Sequence, residues 1–116
     1  MALTIYHNPK CSKSRKTLEL LQVESIKPKI VLYIEEAPTS DDIIDIAKML
    51  SLKVEDLIRS KDISSSQIKR IKCLDSISLA KWISINSSAL QRPIVINYSI
   101  KKAVICRPPE KLYEIL

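Results

Sequence analysis

Leu3-Thr4-Ile5-Tyr6-His7-Asn8-Pro9-Lys10-Cys11-Ser12-Lys13-Ser14-Arg15 opens the chain, and its reading decides how the rest is organised. Leu3 to His7 is a short, mostly apolar run with the β-favouring Thr4, Ile5 and Tyr6, and Asn8-Pro9 stops it with a strong turn signal. From Ser12 onward Leu18, Leu20 and Leu21 recur at helical spacing among charged residues, which predicts a helix to about Val23. The segment therefore reads strand, turn, helix, with Cys11 at the helix N-terminal end.

Working outward, Ile30-Val31-Leu32-Tyr33-Ile34 is a continuous apolar run of the kind buried on both faces of a sheet, and it completes a βαβ unit. Thr39 with Asp42 three residues later resembles a capping box, and Ile43, Ile44, Ala47 and Leu50 predict a helix over Ser40 to Leu50. Helix-like pieces follow around Val54–Ile58, Ser65–Ile71 and Ser76–Ile85, the last with Leu79, Trp82 and Ile83 on one face. Pro93 to Asn97 and Ala103 to Cys106 are two short apolar runs spaced as an antiparallel hairpin. Pro108-Pro109-Glu110 then starts a terminal helix, with Leu112, Ile115 and Leu116 on the side that covers the sheet. The order β-α-β, helical block, β-β-α predicts an α/β fold with a mixed sheet. It is expected to form one domain over residues 1–116, with a helical insertion at about 40–90.

The composition narrows the function. With no Phe and one Trp, Ile, Leu and Val must fill the core. Gly is absent, which excludes the glycine-rich loops of phosphate and dinucleotide sites, because both bring backbone without a Cβ against the phosphate. A formal charge of +6 favours anionic partners, but scattered lysines and few aromatics argue against nucleic acid, so a small anion is expected. The apolar runs fall far short of the roughly 20 residues of a membrane span, and no signal-peptide pattern opens the chain, so a cytoplasmic location without membrane partners is expected. One His and three dispersed Cys make no metal-ligand pattern.

Cys11 is the candidate nucleophile. A thiol attacks as the thiolate, and its ordinary pKa of about 8.5 falls at helix N-termini and beside cations. Cys11 is expected among unpaired helix N–H groups, with Lys10, Lys13, Arg15 and Lys16 within a turn or so. His7, at the strand end, could add a proton relay or further positive charge. Cations at a helix N-terminus oppose its dipole, and that broken local rule points to function. Ser14, three residues after Cys11, rules out a C-x-x-C dithiol in this loop, so an outside thiol is needed. Cys73 and Cys106 could resolve an intermediate if folded close to Cys11, and otherwise serve as small apolar fillers.

The opening segment resembles the active-site segment of the glutaredoxin-linked arsenate reductase family. Arg92-Pro93-Ile94-Val95 and Cys106-Arg107-Pro108-Pro109-Glu110 are similar to that family's two later motifs. The resemblance implies a thioredoxin-like fold, Cys11 as nucleophile, and Arg59, Arg92 and Arg107 as holders of the oxyanion. It also implies that His7 helps lower the thiol pKa and that the Arg92–Pro93 bond is cis. No tightly bound cofactor is implied. Arsenate or a similar oxyanion would be the substrate, glutathione the co-substrate and glutaredoxin the partner. The chain stops directly after the terminal helix, without the extra C-terminal segment of plasmid-borne relatives, and so is similar to the short chromosomal branch. Two other readings use the same thiol. One is a glutathione-dependent reductase of another substrate. The other is a redox-sensing adaptor for a larger protein such as RNA polymerase, whose regulator relatives carry a C-x-x-C pair where this chain has Ser14.

Overall fold

A computed structural model describes residues 2–116. The elements are β1 (Leu3–Tyr6), α1 (Ser12–Val23), β2 (Lys29–Val31), α2 (Ser40–Leu50), α3 (Ser65–Ile71), α4 (Ser76–Ile85), β3 (Ile94–Asn97) and β4 (Lys102–Ile105). Short 3-10 helices lie at Val54–Leu57, Ser60–Asp62, Ser87–Ala89 and Pro109–Ile115. The described residues fold as two compact units, 2–36 with 92–116 and 37–91.

In the first unit the strands run in the order β2-β1-β3-β4. β1 is parallel to β2 and antiparallel to β3, and β3 is antiparallel to β4. This is the expected mixed sheet of a thioredoxin-like fold, reached by β-α-β and β-β-α halves. The register decides where the loops meet: Ile94 lies opposite both Tyr6 and Ile105. The residues after β1, before β3 and after β4 therefore emerge at one end of the sheet.

Every residue of the central strands β1 and β3 is buried. Leu3 and Ile5 of β1 and Val95 of β3 form a cluster with Leu21 of α1, Cys106, Leu112 and Ile115. The aliphatic composition produces that core directly, since side chains without polar atoms pack at no hydrogen-bonding cost. Buried Asn97 is satisfied, its Nδ2 donating to Ile115 O at 2.7 Å and its Oδ1 accepting from Ser99 N at 3.1 Å.

Two expectations are corrected here. The run Ile30–Ile34 is not one strand buried on both faces: β2 has three residues at the sheet edge, with Ile30 45% and Ile34 51% exposed. The amides of Glu35 and Glu36 both donate to Leu32 O, so the chain turns out of the sheet, and Tyr33 is the one residue of the run that is fully buried. An apolar run does not reveal its place in the strand order, and at an edge fewer neighbours cover it. The terminal element is likewise a 3-10 helix rather than an α-helix; it still buries Leu112 and Ile115, but leaves Leu116 partly exposed.

With no glycine available, serine takes the left-handed position after α1 and after α2. Ser25 and Ser51 both have φ 58°. Ile26 N donates to Leu21 O and Leu52 N to Ala47 O, closing each helix in a Schellman motif.

In the second unit α2 packs on α4, burying Ile43, Ile46 and Ala47 and Leu79, Ala80 and Ile83 respectively. The predicted capping box is present, with Asp42 N donating to Thr39 Oγ1 and Thr39 N to Asp42 Oδ2, both at 3.1 Å. Hydrogen bonds from Arg59 N to Ala89 O (2.7 Å) and from Gln91 N to Leu57 O (2.8 Å) tie the middle of this unit to its end.

Candidate active site

Asn8-Pro9 turns the chain from β1 into α1. Asn8 Oδ1 accepts from Lys10 N at 3.0 Å and Asn8 O accepts from Cys11 N at 3.0 Å, a compact turn built on an Asx contact. Cys11 is the N-cap of α1, with extended backbone (φ −94°, ψ 122°), and its carbonyl accepts from Arg15 N at 3.0 Å. Its side chain makes no capping hydrogen bond, but the unpaired N–H groups of Lys13 and Ser14 in the first turn favour its thiolate.

Burial alone would raise the Cys11 thiol pKa. It is outweighed by the N–H groups of Ser14 and Lys13, by a hydrogen bond from the Arg92 side chain and by the charge of Arg107, so the thiol lies below its ordinary value. Arg107 Nη1 lies 4.0 Å from Cys11 Sγ and donates to Arg92 O at 2.9 Å, which fixes the two guanidinium-bearing segments to each other. Arg92 precedes β3 and Arg107 follows β4, so the antiparallel register delivers both to the thiol. The Arg92–Pro93 bond is cis, as the resemblance implies, and so is Arg107–Pro108.

The structure thus brings Cys11, Arg92 and Arg107 together. The nearby basic residues contribute less than the sequence suggested. Lys10, Lys13, Arg15 and Lys16 are all exposed, and Lys16 pairs with Glu19 at 3.5 Å. Long flexible side chains at a helix start gain solvation by turning outward, so the charge that reaches the sulfur comes from far along the chain.

His7 is buried, and its burial holds the imidazole pKa below the ordinary value, which favours the neutral ring. Its Nδ1 is 2.6 Å from Ser14 Oγ, and that hydroxyl also accepts from Asn8 N at 3.0 Å. His7 thus contacts Ser14, whose own backbone N–H favours the Cys11 thiolate. Ser14 was legible only as a missing second cysteine, yet it is fully buried and organises the loop. Its helical i+3 position after an N-cap, where N–H groups converge, was the available signal.

Arg59 belongs to the second unit. It caps the Ser60–Asp62 turn, and its Nη1 is 3.5 Å from Asp62 Oδ2. Cys106 is completely buried and its thiol is pushed up to about 12, chiefly by burial, which makes it the apolar filler expected. Cys73 is exposed, so it does not fill a core. Among the described residues no three His, Cys, Asp or Glu side chains group as metal ligands would. No helix among them is long and apolar enough to cross a membrane.

A cysteine at a helix start with two guanidinium forks beside it has the chemistry to take a small oxyanion, because planar forks donate paired hydrogen bonds to oxyanion oxygens in general. Residues 6–115 match the model of the ArsC family. The chain belongs to the ArsC family. This ArsC-family chain is 42% identical over 122 residues to an arsenate reductase of Haemophilus influenzae, covering all of both sequences. It is 31% identical to an arsenate reductase of Escherichia coli, with 98% of this chain aligned to 80% of that one. Its fold superposes on the arsenate reductase of Vibrio cholerae with a TM-score of 0.91 at 34% identity, covering 100% of this chain and 98% of that one.

Proposed function

We propose that this ArsC-family chain is an arsenate reductase in which Cys11 is the nucleophile and Arg92, Arg107 and Arg59 hold the oxyanion. The observation that carries the reading is the lowered Cys11 thiol at the start of α1, with Arg107 Nη1 at 4.0 Å. The Cys11 thiolate attacks arsenic, a sulfur–arsenic bond forms, and one arsenic–oxygen bond breaks, its oxygen leaving as water after protonation. The guanidinium groups neutralise charge that builds on the remaining oxygens. His7, neutral and bound to Ser14, keeps the loop in the shape that aims N–H groups at the sulfur.

Glutathione supplies the second thiol, because Ser14 stands where a resolving cysteine would be. Its sulfur attacks the adduct, joining Cys11 in a disulfide, and the electron pair of the sulfur–arsenic bond stays on arsenic. Arsenic is reduced from the +5 to the +3 state as the two thiols are oxidised. Glutaredoxin then reduces the mixed disulfide by thiol exchange. This chemistry fits the reducing cytoplasm, needs no nucleic acid or membrane, and goes with one domain over residues 1–116 that carries a helical insertion at about 40–90.

A coupled assay tests the proposal. NADPH oxidation in the presence of glutathione, glutaredoxin and glutathione reductase is expected to require arsenate and to vanish in Cys11→Ser. Absence of turnover at millimolar arsenate, with the Cys11 thiol intact and reactive, would overturn it.

A further inference from the structure

Beyond the ends of the parallel strands β1 and β2 the chain opens a cavity of about 240 Å³. One wall is the turn His7-Asn8-Pro9-Lys10 and the other is Leu32, Ile34 and Glu35. Crevices outside the carboxyl ends of parallel strands are where such sheets bind ligands, since the loops there diverge and leave backbone and side chains free to line a space. Here the floor is apolar and the rim carries one cation, Lys10, and one anion, Glu35. Ile34, a large aliphatic side chain, is left 51% exposed beside it.

We infer that this cavity seats the thiol co-substrate, a small zwitterionic peptide thiol, glutathione in the reading above on which this inference rests. The sheet order carries the argument. β2 lies on one side of β1, while β3 and β4, whose ends present Arg92 and Arg107, lie on the other. Cys11 follows Lys10 directly, between the two. Arg92 and Arg107 hold the oxyanion from the β3 and β4 side, so the β2 side of Cys11 is open to the approach of a second thiol. A peptide thiol with free carboxylates and an ammonium group matches the rim: Lys10 takes a carboxylate, Glu35 takes the ammonium, and Pro9, Leu32 and Ile34 cover its methylenes. A bare anion gains nothing from Glu35, and an apolar ligand gains nothing from either charge.

The test uses the full chain with Glu35→Lys and, separately, Ile34→Trp to fill the space. Charge reversal replaces an attraction by a repulsion, so KM for glutathione is expected to rise about five- to tenfold in Glu35→Lys. KM for arsenate, and the rate with β-mercaptoethanol as the thiol, are expected to stay within about twofold. An unchanged glutathione KM in both variants, or a parallel rise in arsenate KM, overturns the assignment. Binding is read independently of turnover by titrating the unreactive S-methylglutathione into ¹⁵N-labelled Cys11→Ser protein. Amide shifts at Asn8, Lys10, Leu32 and Glu35 support the site, whereas shifts absent there overturn it. That titration decides the cavity even if the chain does not reduce arsenate.

Discussion

Replacing Arg107 with alanine removes the cation whose Nη1 stands 4.0 Å from Cys11 Sγ. Two unit charges at that separation attract by about 1 kcal/mol in bulk water and about 4 kcal/mol at an effective dielectric of 20. Cys11 is only half-buried, so solvent screens the pair and the loss lies near the lower limit, about 1–2 kcal/mol. Losing a cation destabilises the thiolate and not the thiol, so the thiol titrates at higher pH. With about 1.4 kcal/mol per factor of ten, Cys11 alkylation on the rising limb of its pH profile should slow about five- to thirtyfold. Iodoacetamide labelling followed by peptide mass spectrometry checks this, because Cys73 is exposed and labels separately while Cys106 is buried. Arg107→Lys keeps the charge but not the fork, and should restore most of the labelling rate while still impairing oxyanion binding. A profile for Arg107→Ala that superposes on the parent, in a protein with unchanged unfolding, would refute the electrostatic argument.

Ser14→Ala removes the acceptor of the buried Asn8 N–H and the partner of His7 Nδ1; the cost should be about 1–3 kcal/mol in urea unfolding, and a change below about 0.5 kcal/mol would show the hydroxyl to be dispensable. Cys106 gives an alkaline signature. Its thiol ionises near 12 in the fold but at about 8.5 once unfolded, so between those values the unfolded chain binds fewer protons and stability falls as pH rises. Cys106→Ala should flatten that part of the stability profile between pH 8 and 11, and parallel profiles for the two proteins would contradict the burial assigned to this thiol.

Local signals were read well where the physics is local. α1 begins at Ser12 behind Cys11, and α2 spans Ser40–Leu50 behind its Thr39–Asp42 box, because a cap and an apolar face need only neighbours along the chain. The Ile30–Ile34 run was misread because burial of a strand depends on what lies beside it, and β2 lies at an edge. The cations near Cys11 in sequence were over-weighted for the same reason: side-chain direction, not sequence distance, decides which charge reaches the sulfur.

The sequence alone determined the alternation of elements, the lack of a second cysteine in the Cys11 loop, the exclusion of glycine-dependent phosphate loops, and the placing of Cys11 at a helix start. These follow from propensity, periodicity and composition, which act over a few residues. Tertiary structure decided that Arg92 and Arg107 meet the sulfur and that Cys106 is sealed in the core. The arrival of the arginines depends on the register that sets Ile94 opposite Tyr6, a pairing between strands some ninety residues apart that no local pattern encodes.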